Sequence, residues 1–302
     1  MSIRNAALLT TGVIAVSFSA IFIREAHAPA LTVALYRNAF SAALVVPVAL
    51  ARRRRELRTL TRGQVVIALG SGALLAVHFG TWIASLSYTT IAASVVLVTA
   101  SPILVAAASA RLFGERTGRT ALIGILAGVV GAAVVSGGDL FVLSPRAAGG
   151  DLLAVAGAVA AAGYFVAGRR LRQDVSLLTY VALVYTTCAM LLWPAALISG
   201  ARLTGFPART WGLFVLMALV PQMLGHTVFN YLLRDVSATV VAISIMGEPV
   251  GSTLLALAFF GEVPPWTAVA GGALILAGIY VAVTAQGRER RRTAEPALTP
   301  LE

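Results

Sequence analysis

The sequence predicts an all-α membrane protein in which ten transmembrane helices form two inverted five-helix repeats. Hydrophobic residues make up 59% of the 302 positions and charged residues only 12%, with a mean hydropathy of +0.89. That charged fraction is roughly half of what a soluble domain carries. Apolar runs of membrane-spanning length recur along the chain, and the second half repeats the first. A water-soluble enzyme, a disordered protein and a fibrous protein are therefore excluded.

Ten apolar stretches of roughly 17–25 residues are each long enough to cross a bilayer as a helix. Lipid offers the backbone no hydrogen-bond partners, and the runs are continuously apolar rather than alternating, which favours helices over a β-barrel. The first run loosely resembles a signal peptide. We nevertheless expect it to remain in the protein as a span, because the internal repeat described below requires this helix. The predicted spans cover about 5–23, 30–50, 64–85, 90–110, 120–138, 152–168, 176–198, 210–232, 238–260 and 266–285.

The arginines predict how the chain is oriented. All 23 basic residues are arginine, and they form short clusters between apolar runs, which is typical of membrane topology and not of a nucleic-acid-binding face. The largest cluster has six arginines between Arg52 and Arg62, and others follow alternate spans. The positive-inside rule then places both termini in the cytoplasm. We expect a multi-pass protein of the inner (cytoplasmic) membrane, with the lipid bilayer as its surroundings and no nucleic-acid partner.

A shift of 147 residues lays the chain on itself without a gap. Each copy contains five spans, and because five is odd, the second copy must enter the membrane from the opposite side. Inverted repeats of this kind are typical of secondary transporters, whose substrate site lies near the midplane between the repeats. The clearest matches are Pro102 with Pro249, Gly114-Glu115 with Gly261-Glu262, Gly124 with Gly271 and Gly131 with Gly278.

The repeat also predicts the domain organisation. We place the first five-helix repeat at residues 1–146 and the second at 147–287. The remaining residues, 288–302, form a short polar tail that we expect to be cytoplasmic and disordered.

Span eight carries a polar stripe. Gln222, His226 and Asn230 are spaced i, i+4, i+8, so they share one face of a helix. They either line a cavity and bind substrate, or hydrogen-bond neighbouring helices. Histidine titrates close to neutral pH, so His226 would also suit proton coupling.

Span nine carries Glu248 near its middle, directly before Pro249. A carboxyl group at this depth would suit a substrate ammonium group or a transported proton, or it would be the structural partner of an arginine or histidine. The aligned residue of the first repeat is Ser101, so we expect a cavity with an asymmetric charge. Pro102 and Pro249 are the predicted hinge points of spans four and nine.

Spans two and three supply the remaining candidates for substrate binding. Arg37 is either structural, as an anchor that extends toward the outer surface or as a cation that pairs helices, or it holds a substrate carboxylate with its planar fork. His78 and Trp82 are one helical turn apart in span three. The tryptophan either stacks on substrate beside the cavity or lies at the outer membrane interface.

Several of these segments together resemble the EamA-type branch of the drug/metabolite transporter superfamily. The resemblance covers about residues 5–285 and implies a helical bundle with a central cavity, lined largely by spans three, four, eight and nine. It also implies export of small polar metabolites, amino acids among them, or of drugs. The segments that carry it are Leu-Tyr-Arg-Asn at 35–38, Ser101-Pro102 through Gly114-Glu115, Gly-His-Thr-Val-Phe-Asn at 225–230 and Glu248-Pro249 through Gly261-Glu262.

The sequence lacks the signatures of other functions. It has no GxxxxGK[ST] loop for ATP, and no HExxH or GxSxG motif. We therefore expect no enzyme activity, no catalytic residue, no cofactor and no metal. The expected function is a secondary transporter that exports small polar molecules by alternating access. The alternative is a passive facilitator or channel without proton coupling.

Overall fold

The computed structural model describes residues 2–85, 87–89, 91–115, 117–135 and 144–294, and within these ranges the chain is helical with no strand. Nine helical stretches in the described residues are long and apolar enough to cross a membrane, and Arg119–Val135 is a shorter apolar helix. The predicted all-α fold is confirmed, and the described residues of each predicted span fall in helices, apart from Ser176 and the breaks in spans four and nine. The helix of span six begins earlier than predicted, at Pro145, and that of span ten ends later, at Ala294.

The first repeat contains six helices that make up five spans and one short helix between spans. Spans one, two, three and five are the helices α1, α2, α4 and α7, and span four is divided into α5 and α6. A short helix, α3, lies between spans two and three. The bounds are α1 Ile3–Ala26, α2 Ala30–Arg52, α3 Arg54–Thr59, α4 Arg62–Ser85, α5 Ile91–Thr99, α6 Ser101–Phe113 and α7 Arg119–Val135.

The second repeat has the same order of spans. Spans six, seven and ten are single helices, while span eight contains a π-helical segment and span nine is divided in two. The bounds are α8 Pro145–Leu171, α9 Leu177–Ile198, α10 Ala208–Met217, the π-helical segment Ala218–His226, α11 Thr227–Leu232, α12 Ala238–Ile245, α13 Glu248–Phe260 and α14 Trp266–Ala294.

The last helix is longer than the sequence analysis expects. Helix α14 continues past Gly287 to Ala294, so it includes the first part of the segment expected to be disordered. Arginine and glutamate are good helix formers, and no proline follows Gly287 until Pro296, so nothing in this stretch ends the helix earlier. Residues 295–302 lie outside the described residues.

The breaks in spans four and nine fall at equivalent positions of the two repeats. Ala100 precedes α6 and Gly247 precedes α13, and in both helices proline is the second residue. Proline has no N–H to donate and tolerates the first turn of a helix, so Pro102 and Pro249 each permit a new helix to begin in mid-span.

The connections at the two ends of the bundle confirm the inverted arrangement. At one end, the connection after span two meets the start of span seven, where the Ser176 N–H donates to Glu56 Oε1 at 2.6 Å. At the other end, the connection after span seven meets the start of span two, where Thr32 Oγ1 donates to the Arg202 carbonyl at 2.8 Å. Equivalent connections of the two repeats therefore lie at opposite ends of the bundle.

Spans five and ten pack against each other through glycines. A Cβ atom built on Gly124 would lie 2.6 Å from the Gly278 carbonyl oxygen, and one on Gly131 would lie 2.7 Å from that of Gly271. In the reverse direction, a Cβ atom built on Gly271 would lie 2.5 Å from the Gly131 carbonyl oxygen, and one on Gly278 would lie 2.5 Å from that of Gly124. The offset of 147 residues turns one contact into the other, as a two-fold relation between inverted repeats requires. Small residues are what allow two transmembrane helices to approach this closely.

Candidate functional site

Arg37 points into the bundle and not toward the outer surface. Arg37 is only 4% exposed, and its Nε donates to Gln222 Oε1 at 2.5 Å. Nη1 donates to Ser19 Oγ at 3.4 Å, and the guanidinium lies 4.7 Å from the centre of the Phe79 ring. Nη2 is buried without a hydrogen-bond partner in the part of the chain that the structure describes. The surface-anchor interpretation of Arg37 is therefore wrong, because these neighbours hold the side chain in the interior.

Gln222 connects span eight to span two. Besides accepting from Arg37, it donates from Nε2 to Asn38 Oδ1 at 3.4 Å, and the Gln222 and Asn38 side chains are both fully buried. The surrounding turn is π-helical, and the N–H of Thr227 bonds to the carbonyl of Gln222, five residues earlier. π-helical turns occur most often at functional sites. Here the wider turn accompanies Pro221, which has no N–H to contribute to an α-helical ladder.

Asn230 connects span eight to span six. Its Nδ2 donates to the Tyr164 hydroxyl at 2.6 Å, and both residues are buried. Two of the three members of the polar stripe, Gln222 and Asn230, thus bond to neighbouring helices. That is the bonding expected if they hold the bundle together.

His226 lies between three aromatic rings. Its ring centroid is 5.8 Å from that of Phe79, 6.1 Å from Tyr164 and 6.3 Å from Phe229. Its Nδ1 is buried and, among the described residues, has no hydrogen-bond partner. A buried polar atom without a partner is costly, so this nitrogen is available to a ligand, as is Asn230 Oδ1, which is also buried without a partner among the described residues.

Glu248 is the first residue of α13 and follows the break in span nine. Its side chain is partly buried, and its carboxylate makes no hydrogen bond or ion pair with any described residue. Its backbone carbonyl accepts from Ser17 Oγ at 3.3 Å. Helix N-termini in general favour a negative charge. Ser101 occupies the equivalent position at the start of α6 and is also partly buried.

His78 and Trp82 form a stacked pair beside span six. Their rings are 6.0 Å apart and tilted by 6°. His78 Nδ1 and the Gly157 carbonyl oxygen are 3.0 Å apart, so the histidine donates there. Trp82 Nε1 is buried and unpartnered within the described ranges. The ring of His78 is also 5.1 Å from that of Phe79, which connects the pair to Arg37 and His226.

We call Arg37, Phe79, Gln222, His226 and Glu248 the central polar cluster. Phe79 contacts both Arg37 and His226, and Glu248 lies within electrostatic range of Arg37. The cluster thus draws on spans two, three, eight and nine. No group of three or more His, Cys, Asp or Glu side chains comes together among the described residues to hold a metal ion.

Sequence reasoning missed three contributors to this region. Ser19, Asn38 and Phe79 were not among the candidates, although each touches Arg37 or Gln222. Asn38 could have been found, because it directly follows Arg37 inside an otherwise apolar span. Ser19 and Phe79 carry no comparable signal in the sequence.

Comparison with known proteins agrees with this architecture. The model of a family described as the EamA-like transporter family matches residues 4–137 and 148–284. Two relatives from Archaeoglobus fulgidus, each described as an uncharacterized transporter, are 26% identical. One match spans 204 residues, 67% of this chain and 70% of the relative, and the other 266 residues, 87% and 90%. A crystal structure described only as that of a protein superposes with a TM-score of 0.81 and 22% identity, covering 94% of this chain and 99% of that one, which shows the fold alone.

Proposed function

The chain belongs to the EamA-like transporter family, and on that premise we propose that it is a secondary transporter that exports small polar metabolites by alternating access. We place it in the cytoplasmic membrane with both termini in the cytoplasm. The clustering of arginines after alternate spans supports that orientation. We propose that the protein is a transporter without enzymatic activity.

The observation that carries the proposal is the set of unsatisfied polar groups in the central polar cluster. Arg37 Nη2 and His226 Nδ1 are buried without partners, and the Glu248 carboxylate is unpaired, within the described residues. Polar groups at this depth are expensive in a membrane, so leaving them unpaired implies a function. A zwitterion would complement them, with its carboxylate on Arg37 and its ammonium group on Glu248. We therefore assign amino acids or related compounds as the substrate class.

Two ion pairs at opposite ends of the bundle support alternating access. Arg169 Nη2 lies 3.0 Å from Glu115 Oε1 at the predicted cytoplasmic end, and Arg24 Nη1 lies 2.6 Å from Glu262 Oε1 at the other end. Glu115 and Glu262 are equivalent in the repeats, and the arginines end the equivalent helices α8 and α1. Both pairs are formed in this structure, and we infer that each closes one end of the pathway and that transport opens them in turn.

The breaks before Pro102 and Pro249 supply the flexible points that such a motion needs. A mid-span break leaves two short helices that can tilt separately, while the glycine contact between spans five and ten stays fixed. Glu248 begins the second half of span nine, so protonation or substrate binding there acts directly at the break. We propose Glu248, with His226 beside Arg37, as the proton-coupling groups.

Counterflow in proteoliposomes tests the proposal. Vesicles loaded with a mixture of unlabelled amino acids should transiently accumulate a labelled one above its external concentration, and Arg37→Gln should abolish the accumulation. Arg202→Gln is the matched control, because the hydrogen bonds of the Arg202 side chain to described residues go to the Thr204 and Gly205 carbonyls of its own loop. Linear, non-saturating flux without counterflow would instead establish the passive channel.

A further inference from the structure

Six exposed arginines surround the short helix α3 at one end of the bundle. They are Arg52, Arg53, Arg54, Arg55, Arg58 and Arg62. Within the described ranges, none of their side chains makes a hydrogen bond or an ion pair. Unpaired arginines at this density repel one another, so the segment is complementary to an anion.

The one acidic residue of this stretch, Glu56, forms no ion pair with a described arginine, and its single charge leaves the six arginines in excess. Glu56 Oε1 accepts from the Ser176 N–H at 2.6 Å, and Oε2 accepts from Ser176 Oγ at 2.6 Å and from Thr179 Oγ1 at 2.9 Å. Leu57 and Leu60 meanwhile pack against the main hydrophobic core. Helix α3 is thus fixed to span seven on one face, and its arginines project from a rigid support.

Five of these arginines, all except Arg62, line a half-open crevice of about 530 Å³ together with Ala51 and Glu56. Arg52 is the last residue of span two and Arg62 the first of span three. The crevice therefore lies where the helices leave the membrane, at the level of the lipid headgroups. Guanidinium groups bind phosphate with paired hydrogen bonds, which a fixed cluster can direct at one group.

We propose that this arginine crevice binds the phosphate of an anionic phospholipid headgroup. Setting membrane topology needs only positive charge in a loop and does not require that the arginines surround a crevice or that their helix be fixed. A headgroup held there would join the end of span two to α3 and, through Glu56, to span seven of the other repeat. The inference does not depend on which substrate the protein carries.

Native mass spectrometry of the purified full-length protein tests the proposal. The protein is titrated with phosphatidylglycerol, with phosphatidylcholine and with inorganic phosphate alone. We expect phosphatidylglycerol to be retained in preference to phosphatidylcholine. We expect Arg53→Gln/Arg54→Gln/Arg55→Gln to weaken its binding about tenfold or more.

The control removes the same number of charges elsewhere. Arg288→Gln/Arg290→Gln/Arg291→Gln should leave phosphatidylglycerol binding within about twofold of the wild type. If the glutamine variant of the crevice does not fold, the corresponding lysine variant keeps the charge but loses the paired geometry, and should weaken binding several-fold. Equal loss in crevice and control variants, equal retention of both lipids, or displacement of phosphatidylglycerol by millimolar inorganic phosphate would each overturn the proposal.

Discussion

Substituting the glycines between spans five and ten gives the sharpest test of how the two repeats meet. In Gly131→Ala, the new Cβ would lie 2.7 Å from the Gly271 oxygen, and in Gly278→Ala it would lie 2.5 Å from the Gly124 oxygen. An ordinary van der Waals contact begins at 3.4 Å, so each methyl is about 0.7 to 0.9 Å too close to a backbone atom that cannot rotate away.

The magnitude follows from two opposing effects. Alanine improves helix propensity by about 1 kcal/mol over glycine, but overpacking of this kind costs about 1–3 kcal/mol. We therefore expect each substitution to lower the free energy of unfolding by up to about 2 kcal/mol. Gly131→Ala and Gly278→Ala should lower the free energy of unfolding by similar amounts, because the two positions are equivalent in the repeats.

Thermal unfolding in one detergent, compared with Gly70→Ala, measures this effect. A Cβ on Gly70, within α4, has nothing within 4 Å, so that variant gains propensity without overpacking and should be at least as stable as the wild type. If Gly131→Ala and Gly278→Ala are as stable as Gly70→Ala, the close contact between these spans does not exist.

Three further predictions concern charged groups. Burial by itself would raise the pKa of Glu56, but hydrogen bonds from Ser176 and Thr179 and the nearby charge of Arg53 lower it below its ordinary value. The ionised Glu56 therefore contributes its full stability above the ordinary pKa of a glutamate, and this contribution is lost as pH falls through the lowered pKa. The melting temperature of Glu56→Gln should accordingly change less with pH below about 5 than that of the wild type. Glu248→Gln should lower proton-driven transport at least tenfold while monodisperse yield is kept, and full activity would remove Glu248 from the coupling step. Glu115→Gln should change the transport rate more than Glu262→Gln, because the Glu115 side chain is 24% exposed and that of Glu262 50%; equal effects would contradict the assignment of the two ion pairs as gates.

The spans could be predicted because the hydrocarbon core of a bilayer requires any segment that crosses it to be apolar. A run of apolar residues long enough to cross must be a helix, and the described residues of the ten predicted runs are helical apart from Ser176 and the breaks in spans four and nine. The breaks before Pro102 and Pro249 were also indicated, since proline shows where a helix can begin again. The π-helical turn at Ala218–His226 was not predictable, because the i, i+4, i+8 spacing of its polar residues assumes α-helical geometry.

The site could be predicted only in part, because a sequence gives depth along a helix but not the partner across the bundle. Glu248 and His226 could be named as candidates because ionisable groups in spans are rare. The orientation of Arg37 could not be decided, because an anchor and an interior cation look alike until Gln222 is placed beside it.

Side-specific labelling of Ser101 tests most directly the claim that a pocket between inverted repeats opens alternately to each side. Cys188→Ser removes the single cysteine of the chain. Ser101→Cys then places a thiol at the position of the first repeat that is equivalent to Glu248 in the second. A membrane-impermeant thiol reagent should label this cysteine in both right-side-out and inside-out vesicles, and substrate should slow labelling from either side. Labelling from one side alone, or from neither, would contradict the account.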